Sequence, residues 1–213
     1  MNKKILLVGG GGHCKSVLDA LLQTGHYSEI GIIDMDENIG KTVLSVPVIG
    51  NDNDLQRFFQ YGYSHAFVTL GSIGNPGKRV KLFHHLEMIG FEIPIIMDNT
   101  ALIGQDVKLD KGVFIGKNAV VNVGSIIHKG AIINTSAVVE HDCVIDEFVH
   151  IAPGTVLCGE VHIGTNSHIG AGSVVKQQVR VGANVMIGMG SVVTDEIADN
   201  VTAFGNPCRE VRR

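Results

Sequence analysis

A six-residue rhythm runs through the back half of the chain. From Ile103, every sixth residue through Leu109 and Ile115 to Ile187 and Val193 is aliphatic. Two places before each stands a small or β-branched residue, such as Ala101, Val113, Ser125, Cys143 or Ser191. An α-helix turning every 3.6 residues cannot hold that phase, and hairpin strands need turn signals at irregular lengths. A parallel β-helix holds it: each hexapeptide lays down one flat side, and three close a coil of about 18 residues. Glycine follows the aliphatic residue at Gly104, Gly116, Gly164, Gly170, Gly182 and Gly188, where the backbone is expected to turn sharply.

The front of the chain has a different pattern. Apolar runs at 5–8, 30–33 and 66–70 alternate with helical patterns, which predicts a small Rossmann-like βαβαβ unit with a parallel sheet. Its first helix follows Gly9, Gly10, Gly11 and Gly12 and is expected to bury Val17, Leu18, Leu21 and Leu22 on one face. A later helix begins near Asn75 and Pro76 and stops at Gly90. The pattern therefore divides into an α/β domain over 1–96 and an all-β solenoid over 97–213. Lys3 and Lys4 precede an apolar run that ends after four residues at Gly9, so the start reads as a first strand and not as a leader. No apolar stretch reaches the ~18 residues of a membrane span, so no membrane insertion is expected.

Composition narrows the function. The 213 residues are 45% hydrophobic, enough for a real core, and carry a formal charge of -4. Nucleic-acid binding is not expected, because phosphate contacts need clustered Lys and Arg and the only basic cluster is the tail, Arg209, Arg212 and Arg213. Cys14, Cys143, Cys158 and Cys208 form no CxxC pair, which points to reduced thiols in the cytoplasm and to no metal site. The glycine run at a strand end, opening a helix, offers backbone N–H groups to a phosphate. Cys14 stands where a dinucleotide fingerprint wants its third glycine, which makes NAD the weaker reading. Asp34, at the end of the second strand, is placed to accept hydrogen bonds from a ribose or base. The bland alternative is a tight turn.

The hexapeptide series resembles the left-handed β-helix of the hexapeptide acyltransferases, and Gly205, Asn206, Pro207, Cys208 and Arg209 are similar to that family's ending. With the front unit, nearly the whole chain is similar to the acetyltransferases that modify sialic acid or nucleotide-linked amino sugars. The resemblance implies a homotrimer using acetyl-CoA on a small-molecule sugar, N-acetylation of a nucleotide-linked 4-amino sugar being favoured over O-acetylation of sialic acid. It implies a sugar-nucleotide pocket lined by Gly11, Gly12, His13, Asp34 and Met35 and closed by Gly71 and Ser72. Met35 replaces a second acidic residue, with Asp36 one step on. The segment around His141 and Asp142 resembles the family's catalytic stretch, in which the histidine is the base and the acidic residue raises its basicity. Asn134 matches an active-site asparagine. His150 matches a histidine that contacts acetyl-CoA, and the main chain at Ala171 and Met189 would bond the pantetheine.

Spacing adds expectations of its own. Acetyl transfer needs a base near neutral pH, and of His128, His141, His150, His162 and His168 only the second has this acidic context. His141 and His150 differ by nine residues, half a coil, so they point from different sides and imply a site shared between subunits. His150 and His168 differ by one coil and are expected to stack as a surface ladder, and His128 and His162 to be ordinary surface residues. Cys143 occupies an inward corner and is a poor nucleophile, so acetyl transfer would go directly in a ternary complex. Two rival readings are a β-helical carbonic anhydrase, which would need three neutral imidazoles on zinc, and a non-enzymatic scaffold.

Overall fold

The computed structural model describes residues 3–211. Arg212 and Arg213 of the basic tail, and Met1 and Asn2 ahead of the first apolar run, lie outside the described residues. The chain divides into two compact units: residues 1–71 with 77–96, and residues 72–76 with 97–213.

The first unit is a five-stranded sheet with helices α1 (Gly12–Thr24), α2 (Leu55–Gln60) and α3 (Gly77–Ile89). Its strands are β1 (Lys4–Val8), β2 (Glu29–Ile33), β3 (Thr42–Val43), β4 (Val46–Gly50) and β5 (His65–Val68), in the order β3-β4-β2-β1-β5. The apolar runs become β1, β2 and β5, all parallel, with β2 and β1 inside the sheet and β5 at its end, and with Ile5, Leu6, Leu7 and Ile33 fully buried. Such runs are apolar throughout because both faces of a parallel sheet are covered. The hairpin of β3 and β4, which adds β4 parallel to β2, is a further element whose apolar residues Val43, Val46, Val48 and Ile49 are interrupted by Ser45 and Pro47. Helix α1 buries Val17, Leu18 and Leu21, whereas Leu22 is half exposed and off the expected face. Gly25 and Gly90 end α1 and α3 in the left-handed region, which glycine adopts without steric cost.

The second unit is the parallel β-helix. Strand pairs such as Val120–Val121, Val138–Val139 and Val156–Leu157 align in register one coil apart and build the first wall. Lys108–Leu109 through Arg180–Val181 form the second wall, and Phe114–Ile115 through Met186–Ile187 the third. The second residue of each pair points inward, and the series from Ile115 to Val193 is fully buried. The small residues two places earlier also face inward, at the corners. Where these are polar they bond the backbone: Ser125, Ser167 and Thr155 donate to the carbonyls of Glu140, Gly182 and Gly170. A buried hydroxyl without such a partner would be costly.

The corner glycines correct one expectation. From Ile103 to Ile187 the left-handed residue of each corner lies three places after the aliphatic one, as at Asp106, Asn118, Gly124, Asp142 and Gly172. Gly104, Gly164 and Gly170 have no such backbone. A side chain at those positions would meet the main chain of the next coil, at 2.6 Å from Val123 N in the case of Gly104. Those glycines are needed for close stacking of coils, not for turning.

Candidate active site

His141 and Asp142 occupy one corner between the first and second walls. Their turn places Asp142 in the left-handed region, φ 56°, a conformation that short polar residues tolerate better than most. The carboxylate is thereby brought to its neighbour: His141 Nδ1 lies 2.9 Å from Asp142 Oδ2. The carboxylate can only accept, so Nδ1 carries the proton and Nε2 keeps its lone pair free for another proton. Both side chains are exposed. The bond to Asp142, supported by the charges of Asp142, Glu140 and Glu160, raises the imidazole above its ordinary pKa. Glu140 went unnoticed in the sequence. Its carboxylate accepts from Asn122 Nδ2 and from the His141 amide, which anchors the start of the turn.

Asn134 and His150 form a second cluster. Asn134 Nδ2 is 3.2 Å from His150 Nε2, and His150 Nδ1 is 2.9 Å from the carbonyl of Ser72. A carbonyl accepts, so Nδ1 is the protonated nitrogen and Nε2 accepts from the asparagine amide. Ser72 belongs to this second unit by its contacts. His150 stacks edge-on with His168, ring centroids 4.8 Å apart. The expected surface ladder is corrected here: both rings are buried, at 8% and 7% exposure, and burial lowers the pKa of His168.

Ala171 and Met189 line the corner between the third and first walls, the edge that also holds Asn134. At three corners the amide of the first turn residue bonds the side chain before it, as Thr135 does with Asn134, Val123 with Asn122 and His141 with Glu140. Gly170 and Gly188 precede Ala171 and Met189 and offer no side chain. Among the described residues the amides of Ala171 and Met189 have no acceptor. Gly172 and Gly190 have open space where a side chain would stand, so the backbone on this edge is accessible.

The other two histidines of the solenoid are paired, and Cys143 is out of reach. His128 pairs with Asp110, and His162 with Asp146 and Arg180. Cys143 is fully buried, its thiol pushed up to about 11 by burial, and it bonds the carbonyl of Cys158.

In the first unit a cavity of about 410 Å³ opens at the ends of β1 and β2, lined among others by Gly9, Asp34, Met35, Asp36, Asn51 and Lys78. Asp34 is already a double acceptor, from the amides of Gly10 and Met35, so it pins the glycine loop. Asp36 and Asn51 are hydrogen-bonded to each other across the rim. Gly11 caps α1 and Gly12 opens it, both facing open space. His13 lies beside Gly71. Burial, with help from the Arg79 guanidinium, holds His13 down at about 4, which keeps it neutral at ordinary pH. Of the residues expected around a sugar nucleotide, Asp34 and Met35 line this cavity, whereas Gly11, Gly12, His13 and Gly71 do not and Ser72 belongs to the second unit.

Two family models match the chain: the PglD N-terminal domain over residues 4–86 and the bacterial transferase hexapeptide (six repeats) over 160–195. Among solved structures, the acetyltransferase domain of PglB from Neisseria gonorrhoeae FA1090 is 34% identical, covering 99% of this chain and 100% of that one with a TM-score of 0.92. The chain belongs to the hexapeptide-repeat acetyltransferases with a PglD-type N-terminal domain. A variant of perosamine N-acetyltransferase from Caulobacter crescentus, solved with CoA and GDP-perosamine, is 32% identical over 99% of this chain and 97% of that one, with a TM-score of 0.93. WeeI from Acinetobacter baumannii AYE is 27% identical over 99% and 100%, with a TM-score of 0.88. No curated protein matches the chain. Membership in this family gives the β-helix its left hand, against the right-handed habit of parallel crossovers. Among the described residues no group of side chains is arranged to hold a metal ion, and no helix is long and apolar enough to cross a membrane.

Proposed function

We propose that the protein transfers the acetyl group of acetyl-CoA to the amino group of a nucleotide-linked 4-amino-4,6-dideoxy sugar, a step in building surface glycans. The observation that carries this is the exposed His141–Asp142 pair, a poised base on a fold whose solved relatives hold CoA with GDP-perosamine or acetyl coenzyme A. Acetyl-CoA supplies the acyl group as a thioester. As the sugar amine attacks the acetyl carbonyl and the C–S bond breaks, Nε2 of His141 takes the proton the amine sheds, and Asp142 steadies the imidazolium. The free thiolate of CoA leaves with its electron pair. The amides of Ala171 and Met189 suit the pantetheine because no acceptor among the described residues occupies them and the backbone beside them at Gly172 and Gly190 is open. The cavity behind Gly9 and Asp34 takes the nucleotide, with the amides of Gly11 and Gly12 at its phosphates. Acetyl-CoA and sugar nucleotides are cytoplasmic metabolites, and the four free cysteines suit that compartment.

The assembly we propose is a homotrimer with shared sites. Outward residues on the first wall are all aliphatic, from Leu102 and Val120 through Val174 to Val192. Such a stripe is an interaction surface more often than a solvated one. His141 stands on one edge of a chain, while Asn134 and His150 stand on another, so packing along the stripe would let one subunit's base face its neighbour's CoA edge. A thiol-release assay offering UDP-, dTDP- and GDP-linked 4-amino sugars beside free sialic acid tests the reaction. Turnover with an amino sugar nucleotide is the expected result, and turnover with sialic acid alone overturns it. Mixing His141→Ala and His150→Ala proteins is expected to restore part of the activity in hybrids, and no recovery overturns the shared site.

A further inference from the structure

The neighbours of the His141 pair along the solenoid show how it is held. The equivalent position on successive coils is occupied by Gln105, Val123, His141, Gly159 and Gln177. Gly159 is the one glycine in that column, and it is buried. Its backbone is not left-handed, so no turn requires a glycine there. A Cβ built at Gly159 would stand 2.5 Å from His141 Cε1 and closer still to Nε2, with Cδ2 at 3.1 Å. The Nε2–Cε1 edge of the imidazole therefore lies against the Gly159 Cα. The Gly159 coil is pinned to both of its neighbours at this point, because the amide of Glu160 donates to the His141 carbonyl at 2.9 Å and the amide of Gln178, one coil on, to the Gly159 carbonyl at 2.9 Å. Neither backbone can withdraw, so an added methyl group must move the ring.

On the coil before, a Cβ at Gly124 would stand 2.5 Å from Asp142 Oδ1. Gly124 has a φ of +73°, so its backbone explains it as well as the carboxylate does. Gly159 lacks that second explanation. We propose that Gly159 is a positioning residue for the acetyl transfer: its missing side chain is the floor on which the His141 imidazole rests within reach of Asp142. This rests on the reading of His141 as the base.

Gly159→Ala tests it, because alanine suits the backbone and only the ring stands in the way. The expected result is a fall in kcat of roughly 10- to 100-fold, the cost of a misplacement near 1 Å, with KM for both substrates unchanged. The acid limb of the kcat profile is expected to move to lower pH as the imidazole leaves Asp142, the remaining carboxylates facing it being Glu140 and Glu160. In a His141→Ala background there is no ring to displace, so adding Gly159→Ala is expected to change neither the residual rate nor Tm. Wild-type kcat and pH profile in Gly159→Ala overturn the proposal, as does an equal further loss in the double variant. Should Gly159→Ala fail to fold, the double variant is expected to fold, and its failure shows that the backbone needs the glycine and overturns the proposal. If His141→Ala itself retains full activity, the base assignment fails and the role of Gly159 falls with it.

Discussion

His141 stands at a corner of the β-helix and His168 on one of its walls, and the two places give the same side chain opposite chemistry. At the corner the turn forces Asp142 into a left-handed backbone that sets its carboxylate on Nδ1, in water, and the imidazole binds protons more tightly than usual. On the wall the ring is buried against His150, no acceptor reaches its Nδ1 among the described residues, and burial makes protonation harder. Place within the hexapeptide, more than residue type, decides whether a histidine of this solenoid can move a proton. His150 lies between the extremes: it is as buried as His168, but Ser72 and Asn134 fix its tautomer.

The largest effect should come from removing the corner imidazole. His141→Asn is expected to lower kcat by roughly 10²- to 10⁴-fold, the usual worth of a general base, with KM for acetyl-CoA little changed. Steady-state thiol release measures both, and a loss carried by KM would mean that the corner binds without taking the proton.

Asp142→Asn should cost less, on the order of 10-fold, and its signature is in the pH profile. The base works unprotonated, so kcat/KM climbs as pH rises through the pKa of His141. Asp142 raises that pKa, which sets the limb above the ordinary histidine value near 6.5. The amide keeps a hydrogen-bond acceptor but loses the charge, so the limb is expected to shift downward. A limb that stays in place would show that the profile reports another group.

How far this contrast could be read from sequence differs between the two places. The period of six is enforced by the coil itself, since every sixth side chain must fill the same interior, and so the solenoid and its inward series were legible residue by residue. His141 was legible for a local reason: the residue that tunes it is the next one in the chain. The burial of His168 was not, because the period gives the stacking partner but not what covers an outward face. Gly159 and Glu140 were hidden in the same way, since their contacts with His141 and with Asn122 run across coils and depend on where side chains lie. In the first unit the short hairpin of β3 and β4 escaped because Ser45 and Pro47 break its apolar residues into pieces too short to stand out as a run. Leu22 was misassigned because spacing along α1 gives a face, not its width.

The wall side of the comparison predicts the smallest change. A buried histidine held below its ordinary pKa resists protonation while folded and accepts a proton near pH 6.5 once unfolded. Below that pH the unfolded state binds more protons, so stability falls as pH falls until the folded value is reached. His168 contributes in this direction, and so does His13, whose folded value lies at about 4. Each adds at most about 1.4 kcal/mol per pH unit. Met186 already occupies the next outward position of the third wall, so His168→Met places a side chain there that the wall accommodates. Its stability at pH 7 is expected to stay within about 1 kcal/mol of the parent, because the lost ring had an unpartnered nitrogen to bury. Denaturant midpoints measured from pH 7 to pH 5 should then fall less steeply than those of the parent. A slope identical to the parent's would mean that His168 titrates alike in both states, and burial would no longer separate wall from corner.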